Sequence, residues 1–266
     1  MKSYREKVLN NQPNAGFLNL ISWNVRGINA CVNKGGLTGL IDRFQPDIVC
    51  LQEIQVQSAS SVNSLLKRYP SYDLTLNLSN DPRYKSGTAM MSKLPLSIIE
   101  PGYGFDILSS EGRVITQEHE SFYLMTVYAP ALTSADRIEY KVVWWKSLVD
   151  YISMLQWHKP VILCGDLNAT VDDRDVRLMY NTPGCTSLEQ NLMAQLTDVG
   201  LQDSFRIKHP QQRAYTWFSD SERRHGIRLD YIFVSRELVP FIKESYIIQG
   251  IYTSDHLPVG IRLRTR

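Results

Sequence analysis

The residues best suited to chemistry are two pairs of polar side chains, each of which directly follows an apolar run. Asp166 and Asn168 follow one such run, and Asp255 and His256 come after another. Apolar runs of this kind are typical of buried strands. Burying a carboxylate is costly unless a metal, a cation or a proton compensates its charge. The pattern therefore predicts that these four groups converge on a shared charged partner.

Two more polar side chains, Asn24 and Glu53, end apolar runs near the start of the chain. Functional groups of α/β proteins gather on loops at strand ends. The whole set offers carboxylates, carboxamides and one histidine, and these hard donors suit Mg²⁺ or Mn²⁺. Any one of these residues is also an ordinary turn residue, so plain loop structure stays an alternative for each. Their recurrence at several strand ends favours a metal site.

The elements that must position these groups are short strands rich in β-branched and aromatic residues. Strands are predicted at 18–23, 47–51, 72–76, 87–92, 96–99, 114–117, 122–128, 161–164, 215–218, 229–234, 246–248 and 259–263. Apolar periodicity predicts helices at 37–44, at 135 to about 157, and at 188–196. Because helices follow only some strands, the pattern predicts packed sheets covered by helices rather than a strict βαβ repeat.

Length and composition are those of one large domain. The chain has 266 residues, 43% of them hydrophobic, and a net charge of +2. We expect a polar N-terminal leader at 1–17 and a single catalytic domain at 18–266. No apolar run approaches the roughly 18 residues of a membrane span, which predicts no membrane partner. The four cysteines form no Cys-x-x-Cys pair, as in a protein of a reducing compartment.

A cluster of basic residues in the C-terminal third has two interpretations. It would form either a basic edge for a polyanion or an ordinary solvated surface. Its members are Arg206, Lys208, Arg213, Arg223, Arg224, His225 and Arg228.

Several motifs in order resemble those of the exonuclease III family of abasic-site endonucleases, within the endonuclease/exonuclease/phosphatase superfamily. The resemblance covers residues 18 to 263, nearly the whole chain. The matching segments are Ser22-Trp23-Asn24-Val25, Leu51-Gln52-Glu53, Glu111-Gly112-Arg113-Val114, Tyr128-Ala129-Pro130, Gly165-Asp166-Leu167-Asn168, Gly200-Leu201-Gln202-Asp203-Ser204-Phe205-Arg206, Arg228-Leu229-Asp230-Tyr231 and Ser254-Asp255-His256.

The resemblance implies a four-layer α/β sandwich, with two facing mixed sheets flanked by helices. It also implies a Mg²⁺-dependent hydrolase, in which Mn²⁺ would substitute for Mg²⁺. This enzyme would cleave the DNA phosphodiester 5′ to an abasic site in base-excision repair, with 3′–5′ exonuclease and 3′-phosphodiesterase activity. The implied metal-site residues are Asn24, Glu53, Asp166, Asn168, Asp255 and His256.

The resemblance also implies a role for each catalytic residue. Asp166 would orient or deprotonate the attacking water, and Asn168 and Tyr128 would stabilise the transition state. His256 would touch the scissile phosphate, with Asp230 as its carboxylate partner. An aspartate partner favours the protonated imidazole, which suits a group beside a phosphate.

The implied DNA contacts are less closely matched to the family pattern. The candidate backbone contacts are Lys85, Arg113, Arg137 and Lys141, although a surface lysine or arginine is often only solvated. The candidate walls of an abasic-sugar pocket are Trp217, Ile227 and Leu229, with strand packing as the alternative for Trp217. The sequence departs from the family pattern at Ala131, at Ile54-Gln55 and in the shorter loop at 169–184.

The expected partner is double-stranded DNA with abasic sites or 3′ blocks, bound by a monomer. The expected location is cytoplasmic in a prokaryote and nuclear in a eukaryote. One alternative keeps the chemistry with a shifted substrate, as in a retroelement-type endonuclease or another phosphodiesterase. Another is a catalytically silent DNA-binding protein, which the intact set of carboxylates disfavours.

Overall fold

Two six-stranded sheets pack face to face and form the centre of the molecule. The computed structural model describes residues 16–79, 86–102, 104–132, 134, 136–178 and 182–265. The predicted leader at 1–17 falls mainly on residues 1–15, which lie outside this description, and that part stays a prediction. Its last residue, Phe17, belongs to the first strand, so the folded domain begins before residue 18.

The first sheet combines the beginning and the end of the described chain. Its strands are β1 (Phe17–Asn24), β2 (Ile48–Gln52), β3 (Asp73–Asn77), β4 (Thr88–Ser92), β14 (Ile242–Ile247) and β15 (Val259–Arg264). They lie in the order β14-β15-β1-β2-β4-β3. β1 and β2 are parallel, with Asn24 opposite Gln52. Glu53 follows Gln52 directly, so Asn24 and Glu53 emerge at the same edge of the sheet.

The second sheet comes from the middle of the chain. Its strands are β5 (Ser97–Ile99), β6 (Val114–Glu118), β7 (Tyr123–Tyr128), β8 (Val161–Asp166), β10 (Leu201–Asp203) and β13 (Asp230–Ser235). They lie in the order β10-β13-β8-β7-β6-β5. The register places Tyr128 and Asp230 on either side of Asp166. A small third sheet is formed by β9 (Val176–Arg177), β11 (Trp217–Phe218) and β12 (Gly226–Ile227).

Helices cover the outer faces of both large sheets. They are α1 (Ile28–Asn33), α2 (Gly36–Phe44), α3 (Asn63–Arg68), α4 (Asp106–Ser109), α5 (Asp136–Gln156), α6 (Ser187–Asp198) and α7 (Ser204–Lys208). Short 3₁₀ turns occur at Ala59–Val62, Asp173–Asp175 and Arg236–Phe241. α6 begins with a capping box, in which Thr186 and Glu189 satisfy each other's backbone N–H groups.

Side-chain alternation along the strands divides the core into layers. On β1, Leu18 and Leu20 pack between the two sheets. Ile21 and Trp23 face the opposite side, where α2 covers them. α5 and α6 cover the outer face of the second sheet in the same way. The predicted four-layer α/β sandwich is confirmed.

Most predicted strands are present, although their ends differ. The strand predicted at 246–248 begins earlier, at Ile242, and the one predicted at 215–218 is reduced to Trp217–Phe218. Three short strands, β9, β10 and β12, were not predicted. None of the described helices combines the length and the apolar character needed to span a membrane.

Candidate active site

The active-site side chains come from the ends of strands in both sheets. Asn24 and Glu53 lie at the ends of β1 and β2, and Asp166 ends β8. Asp230 begins β13, and His256 forms an isolated bridge with the small third sheet. The four groups predicted to converge, Asp166, Asn168, Asp255 and His256, all line one cleft in the structure.

Two of the functional residues have an unusual backbone conformation. Glu53 has φ 50° and Asn168 has φ 46°, both in the left-handed region that side chains other than glycine rarely adopt. The carbonyl of Glu53 accepts a hydrogen bond from Gly27, 2.7 Å away. Asn168 donates to Asp166 and Ala129, at 2.9 Å in each case. Such strained residues persist where surrounding bonds fix them, and they cluster at functional sites.

The approach of β8 to β7 requires a glycine beside Asp166. A Cβ atom on Gly165 would lie 1.9 Å from the carbonyl oxygen of Val127, and the φ of Gly165 is 137°. The backbones therefore approach too closely for any side chain at this position. Gly165 allows Asp166 to reach the edge of the sheet beside Tyr128.

Asn24 joins the two central carboxylates. Its Nδ2 atom donates to Glu53 Oε1 and to Asp166 Oδ2, at 2.9 Å in each case. Its Oδ1 atom accepts from the backbone N–H of Arg26, 3.1 Å away. In this arrangement Asn24 holds the carboxylates through its amide nitrogen. Its predicted ligation of a metal would use the oxygen, and it stays a prediction.

The carboxylates of Glu53 and Asp166 and the imidazole of His256 form a group that could hold a metal ion. Each offers one ligand atom, and these atoms lie within 4.8 Å of one another. Two carboxylates held close together repel each other unless a cation compensates them. Their oxygen donors fit Mg²⁺ or Mn²⁺. The donor set therefore fits a divalent metal, with Glu53 and Asp166 as its oxygen ligands.

Asp255 is engaged differently from the other carboxylates. Its Oδ2 atom accepts from Arg26 Nη1 at 2.6 Å and from Trp217 Nε1 at 3.1 Å. Arg26 thus supplies a positive charge at the place where Asp255 was expected to bind metal. The metal role of Asp255 stays a prediction.

His256 is buried among carboxylates. Its Nδ1 atom lies 2.9 Å from Asp230 Oδ2, and its Nε2 atom lies 3.8 Å from Asp166 Oδ2. Burial alone would lower the pKa of His256, but the negative charges of Asp230, Asp166 and Asp255 outweigh it and raise the pKa to about 10. His256 is therefore an imidazolium at neutral pH, with Nδ1–H donating to Asp230. Because an imidazolium has no lone pair for a metal, the predicted metal role of His256 stays a prediction.

Asp166 titrates near neutrality. Burial raises its pKa, and the negative charge of Asp230 adds to the effect, whereas the charge of His256 and the bond from Asn24 oppose it; the result is about 7. General bases work best when their pKa lies near the working pH. This property suits the predicted role of Asp166 in accepting a proton.

Tyr128 lies beside the same carboxylates and stays neutral. Burial and the negative charges of Glu53 and Asp166 hold its pKa well above the ordinary value. The Arg113 guanidinium lies 4.9 Å from the centre of the Tyr128 ring. Tyr128 therefore offers a neutral hydroxyl donor at the edge of the site.

A cleft of about 320 Å³ opens above these groups. Its lining includes polar groups, among them Glu53 and His256. It also includes the three predicted pocket walls, Trp217, Ile227 and Leu229. These three residues belong to one small cluster, separate from the three main apolar clusters.

Two of the predicted DNA-backbone contacts are wrong. Arg113 is buried and donates to Glu111 at 2.6 Å and to the carbonyl of Tyr128 at 2.9 Å. Lys141 is completely buried and forms an ion pair with Glu189, 2.6 Å away. A cation with an internal partner and no exposed surface cannot reach a phosphate. Both residues support the site from beneath.

The other two predicted DNA-backbone contacts, Arg137 and Lys85, are not contradicted by the structure. Arg137 is partly buried and binds both carboxylate oxygens of Glu111, at 3.1 Å each, and its contact with DNA stays a prediction. Lys85 lies outside the described residues. The basic edge is also smaller than expected, because Arg228 is buried against Asp175 and Arg206 pairs with the same carboxylate.

Among the residues of the site that were not predicted, three make defined contacts with its functional groups. Arg26 lines the cleft beside Asp255. Trp23 donates from Nε1 to the carbonyl of His256 at 3.0 Å. Thr216 Oγ1 accepts from the backbone N–H of Asp230 at 3.0 Å. The one available signal was the position of Arg26, two residues after Asn24.

The fold and the acidic cleft define a hydrolytic enzyme that acts on phosphoesters, and the comparisons with known proteins agree. The chain belongs to the Endonuclease/Exonuclease/phosphatase family, which it matches over residues 21–256. This membership, with the relatives described below, confirms the resemblance stated from the sequence motifs.

Similar proteins include nucleases from distant organisms. The chain is 36% identical to an exodeoxyribonuclease of Bacillus subtilis over 254 residues, or 92% of this chain and 98% of the relative. It is 33% identical to the DNA repair nuclease APEX1 of Danio rerio over 268 residues, or 97% and 86% of the two chains. In fold it matches a Neisseria 3′ phosphatase, solved with a product DNA hairpin, at a TM-score of 0.81. That match has 24% identity and covers 92% of this chain and 99% of the other.

Proposed function

We propose that this protein is a Mg²⁺-dependent abasic-site endonuclease that cleaves DNA on the 5′ side of the lesion and also trims blocked 3′ ends. One observation carries the proposal: a linked polar cluster and an apolar cluster line the same cleft. The nuclease relatives at 36% and 33% identity support hydrolysis of DNA phosphodiesters.

The polar cluster supplies the chemistry. Phosphodiester hydrolysis needs positioning of the water and neutralisation of charge on the phosphoryl oxygens. His256 would donate from Nε2 to a phosphoryl oxygen, and its charge is maintained by Asp230. Asp166 would orient the attacking water or accept its proton, from its buried position beside Asn24 and His256. Tyr128 would donate its hydroxyl to the same phosphate.

The proposed metal is Mg²⁺, with Mn²⁺ as a substitute, held by Glu53 and Asp166. When bound, such a cation neutralises phosphoryl charge and lowers the pKa of water. Asn24 keeps the two carboxylates together through its amide group. Asn24 therefore maintains the metal-binding arrangement even if its own oxygen is not a ligand.

The apolar cluster would select the lesion. Ile227 and Leu229 are buried, and Trp217 is partly buried beside them. Gly184 closes this wall, because a Cβ there would lie 3.2 Å from both Ile227 and Leu229. A sugar without a base presents an apolar ring of small size, whereas an intact nucleotide brings a base that the closed wall would obstruct. The wall would therefore admit the abasic sugar.

A side-by-side cleavage assay tests the proposal. The substrates are an abasic-analogue duplex, an intact blunt duplex and nicked DNA with a blocked 3′ end. We expect cutting 5′ to the abasic analogue, loss of cutting in EDTA and recovery with Mg²⁺. Equal cutting of the intact duplex would contradict the role of the apolar wall and favour the alternative of a shifted substrate. DNA binding without cleavage in any divalent metal would favour a silent DNA-binding protein.

Two variants and a control test the site. We expect Glu53→Ala and Asp166→Ala to lose cleavage, because each removes an oxygen donor from the metal group. Asp150→Ala is the matched control, since Asp150 lies exposed on α5. A wild-type rate in Glu53→Ala or Asp166→Ala would contradict the mechanism.

We further propose that the protein acts as a monomer in base-excision repair, with a polar leader before β1 of the catalytic domain. Its proposed location is the compartment that holds the genome: the cytoplasm of a prokaryote or the nucleus of a eukaryote. Sedimentation at increasing protein concentration, with and without abasic DNA, tests the oligomeric state. A dimer in either condition would contradict it.

A further inference from the structure

A second, larger cleft adjoins the active-site cleft. Its volume is about 690 Å³, and it shares Arg26, Trp217 and Asp255 with the active-site cleft. The two clefts therefore meet at these three residues. A DNA strand whose phosphodiester lies over His256 could extend past Asp255 toward the second cleft.

The second cleft contains a cation held between two aromatic rings. The Arg223 guanidinium lies 4.6 Å from the centre of the Phe218 ring and 4.1 Å from the centre of the Tyr252 ring. Within the described part of the chain, no carboxylate forms an ion pair with this guanidinium. Most of the neighbouring cations have such partners; Arg26, for example, is paired with Asp255. Arg223 is thus a positioned positive charge available to an anion.

The turn that presents Arg223 is fixed by its own bonds. Arg223 has φ 56°, and its N–H donates to the carbonyl of Asp220 at 3.1 Å. The Asp220 carboxylate accepts from the backbone N–H groups of Arg224 and His225, at 3.2 and 3.0 Å. The side chain of Arg223 is therefore directed by a closed turn rather than by an open loop.

Tyr252 presents an aromatic surface to solvent at the same place. It is 65% exposed, although it lies only three residues before Asp255 in the sequence. Arg223 contacts the Tyr252 ring, and the large exposed fraction shows that much of the ring is uncovered. An exposed ring beside an unpaired cation is the combination that binds single nucleotides, by stacking on the base and pairing with the phosphate.

A base next to an abasic site has the complementary property. Within a duplex each base is stacked on both faces, but the neighbour of a missing base has one face without a partner. Resting on the proposed function, we propose that Tyr252 stacks on the base that flanks the abasic site, while Arg223 binds the adjacent phosphate. Stacking would thereby hold the damaged strand in register with the active-site cleft.

Fluorescence of 2-aminopurine tests the stacking directly, because stacking on an aromatic ring quenches it. The probe is placed on either side of a tetrahydrofuran abasic analogue in a duplex, and binding is measured in EDTA so that no cleavage occurs. We expect quenching at one of the two positions with wild-type protein. Tyr252→Phe should keep the quenching. Tyr252→Leu should bind the DNA roughly tenfold more weakly. When enough of this variant is added to saturate the DNA, most of the quenching should still be lost.

The cleavage kinetics provide a second measurement. We expect Tyr252→Leu and Arg223→Gln to raise KM roughly tenfold, with kcat within about twofold of wild type. Arg223→Lys should retain most of the affinity. Trp157→Leu is the control, since Trp157 is 87% exposed and lies outside both clefts.

The outcomes separate the two proposals. Unchanged quenching and KM in Tyr252→Leu would overturn the stacking proposal while cleavage of abasic DNA continued. Quenching without cleavage in Mg²⁺ would leave the stacking intact and overturn the proposed function. A fall in kcat with unchanged KM in Tyr252→Leu would overturn the stacking proposal, because Tyr252 would then act on the geometry of the active site.

Discussion

Replacing Lys141 by methionine tests the buried ion pair beneath Asn168. Lys141 Nζ donates to Glu189 Oε1 at 2.6 Å and to the carbonyl of Asn168 at 2.7 Å. Removing one partner of a buried pair typically costs about 3–5 kcal/mol. Glu189 keeps hydrogen bonds from Gly184 and Thr186, so we expect a cost near the lower limit, about 3 kcal/mol.

The assay is urea and thermal unfolding together with cleavage kinetics. For a chain of this size, that loss corresponds to a fall in Tm of roughly 6 °C. We also expect kcat to fall at least roughly tenfold, since Asn168 loses a bond that holds its strained backbone. Adding Glu189→Gln to Lys141→Met removes the unpaired charge but keeps an oxygen for Gly184. The double variant should therefore regain about 2 kcal/mol.

The control is Lys146→Met, at an exposed position on the same helix. We expect its stability to stay within about 0.5 kcal/mol of wild type. Equal stabilities of Lys141→Met and Lys146→Met would refute the assignment of Lys141 to a structural ion pair. Lys141 would then be a surface residue, as the sequence had predicted.

Three further perturbations have defined outcomes. Asp230→Asn removes an anion that raises the pKa of His256 to about 10, so the alkaline limb of kcat/KM against pH should move down by roughly one to three units; an unmoved limb would exclude His256 as its source. Arg26→Asn frees Asp255 from its ion pair, so Mn²⁺ affinity measured by electron paramagnetic resonance should rise roughly two- to fivefold. Equal affinity would mean that Asp255 does not contribute to metal binding. Gly165→Ala places a Cβ 1.9 Å from a backbone oxygen of the neighbouring strand and should destabilise the protein by roughly 2 kcal/mol or more. An unchanged urea midpoint would show that the strands can separate without cost.

The fold was largely predictable because its strands are buried and apolar. β2 and β8 are buried along their whole length, and such runs give a strong signal. β9 and β12 have two residues each, which is too short for any periodic pattern. The start of β14 was missed because Lys243 and Glu244 interrupt its apolar pattern at exposed positions.

The side chains that the chemistry requires were predicted well. Charged residues whose position depends on an internal ion-pair partner were predicted less well. The carboxylates and His256 were identified because polar groups are rare at buried strand ends. Lys141 and Arg113 were misassigned because charged residues usually lie at the surface. Their burial depends on Glu189 and Glu111, and the pairing of residues distant in sequence is not visible in a local pattern.

The position of β15 affects when the enzyme can become active. β15 lies between β14 and β1 in the middle of the first sheet, and its Arg264 pairs with Phe17. It is also the last strand of the described chain to leave the ribosome. Until it does, β1 lacks one of its two neighbours, and Asp255 and His256, which come just before β15, are not anchored to the first sheet. We therefore expect a partly synthesised chain that carries every other strand to lack nuclease activity until β15 pairs with β1.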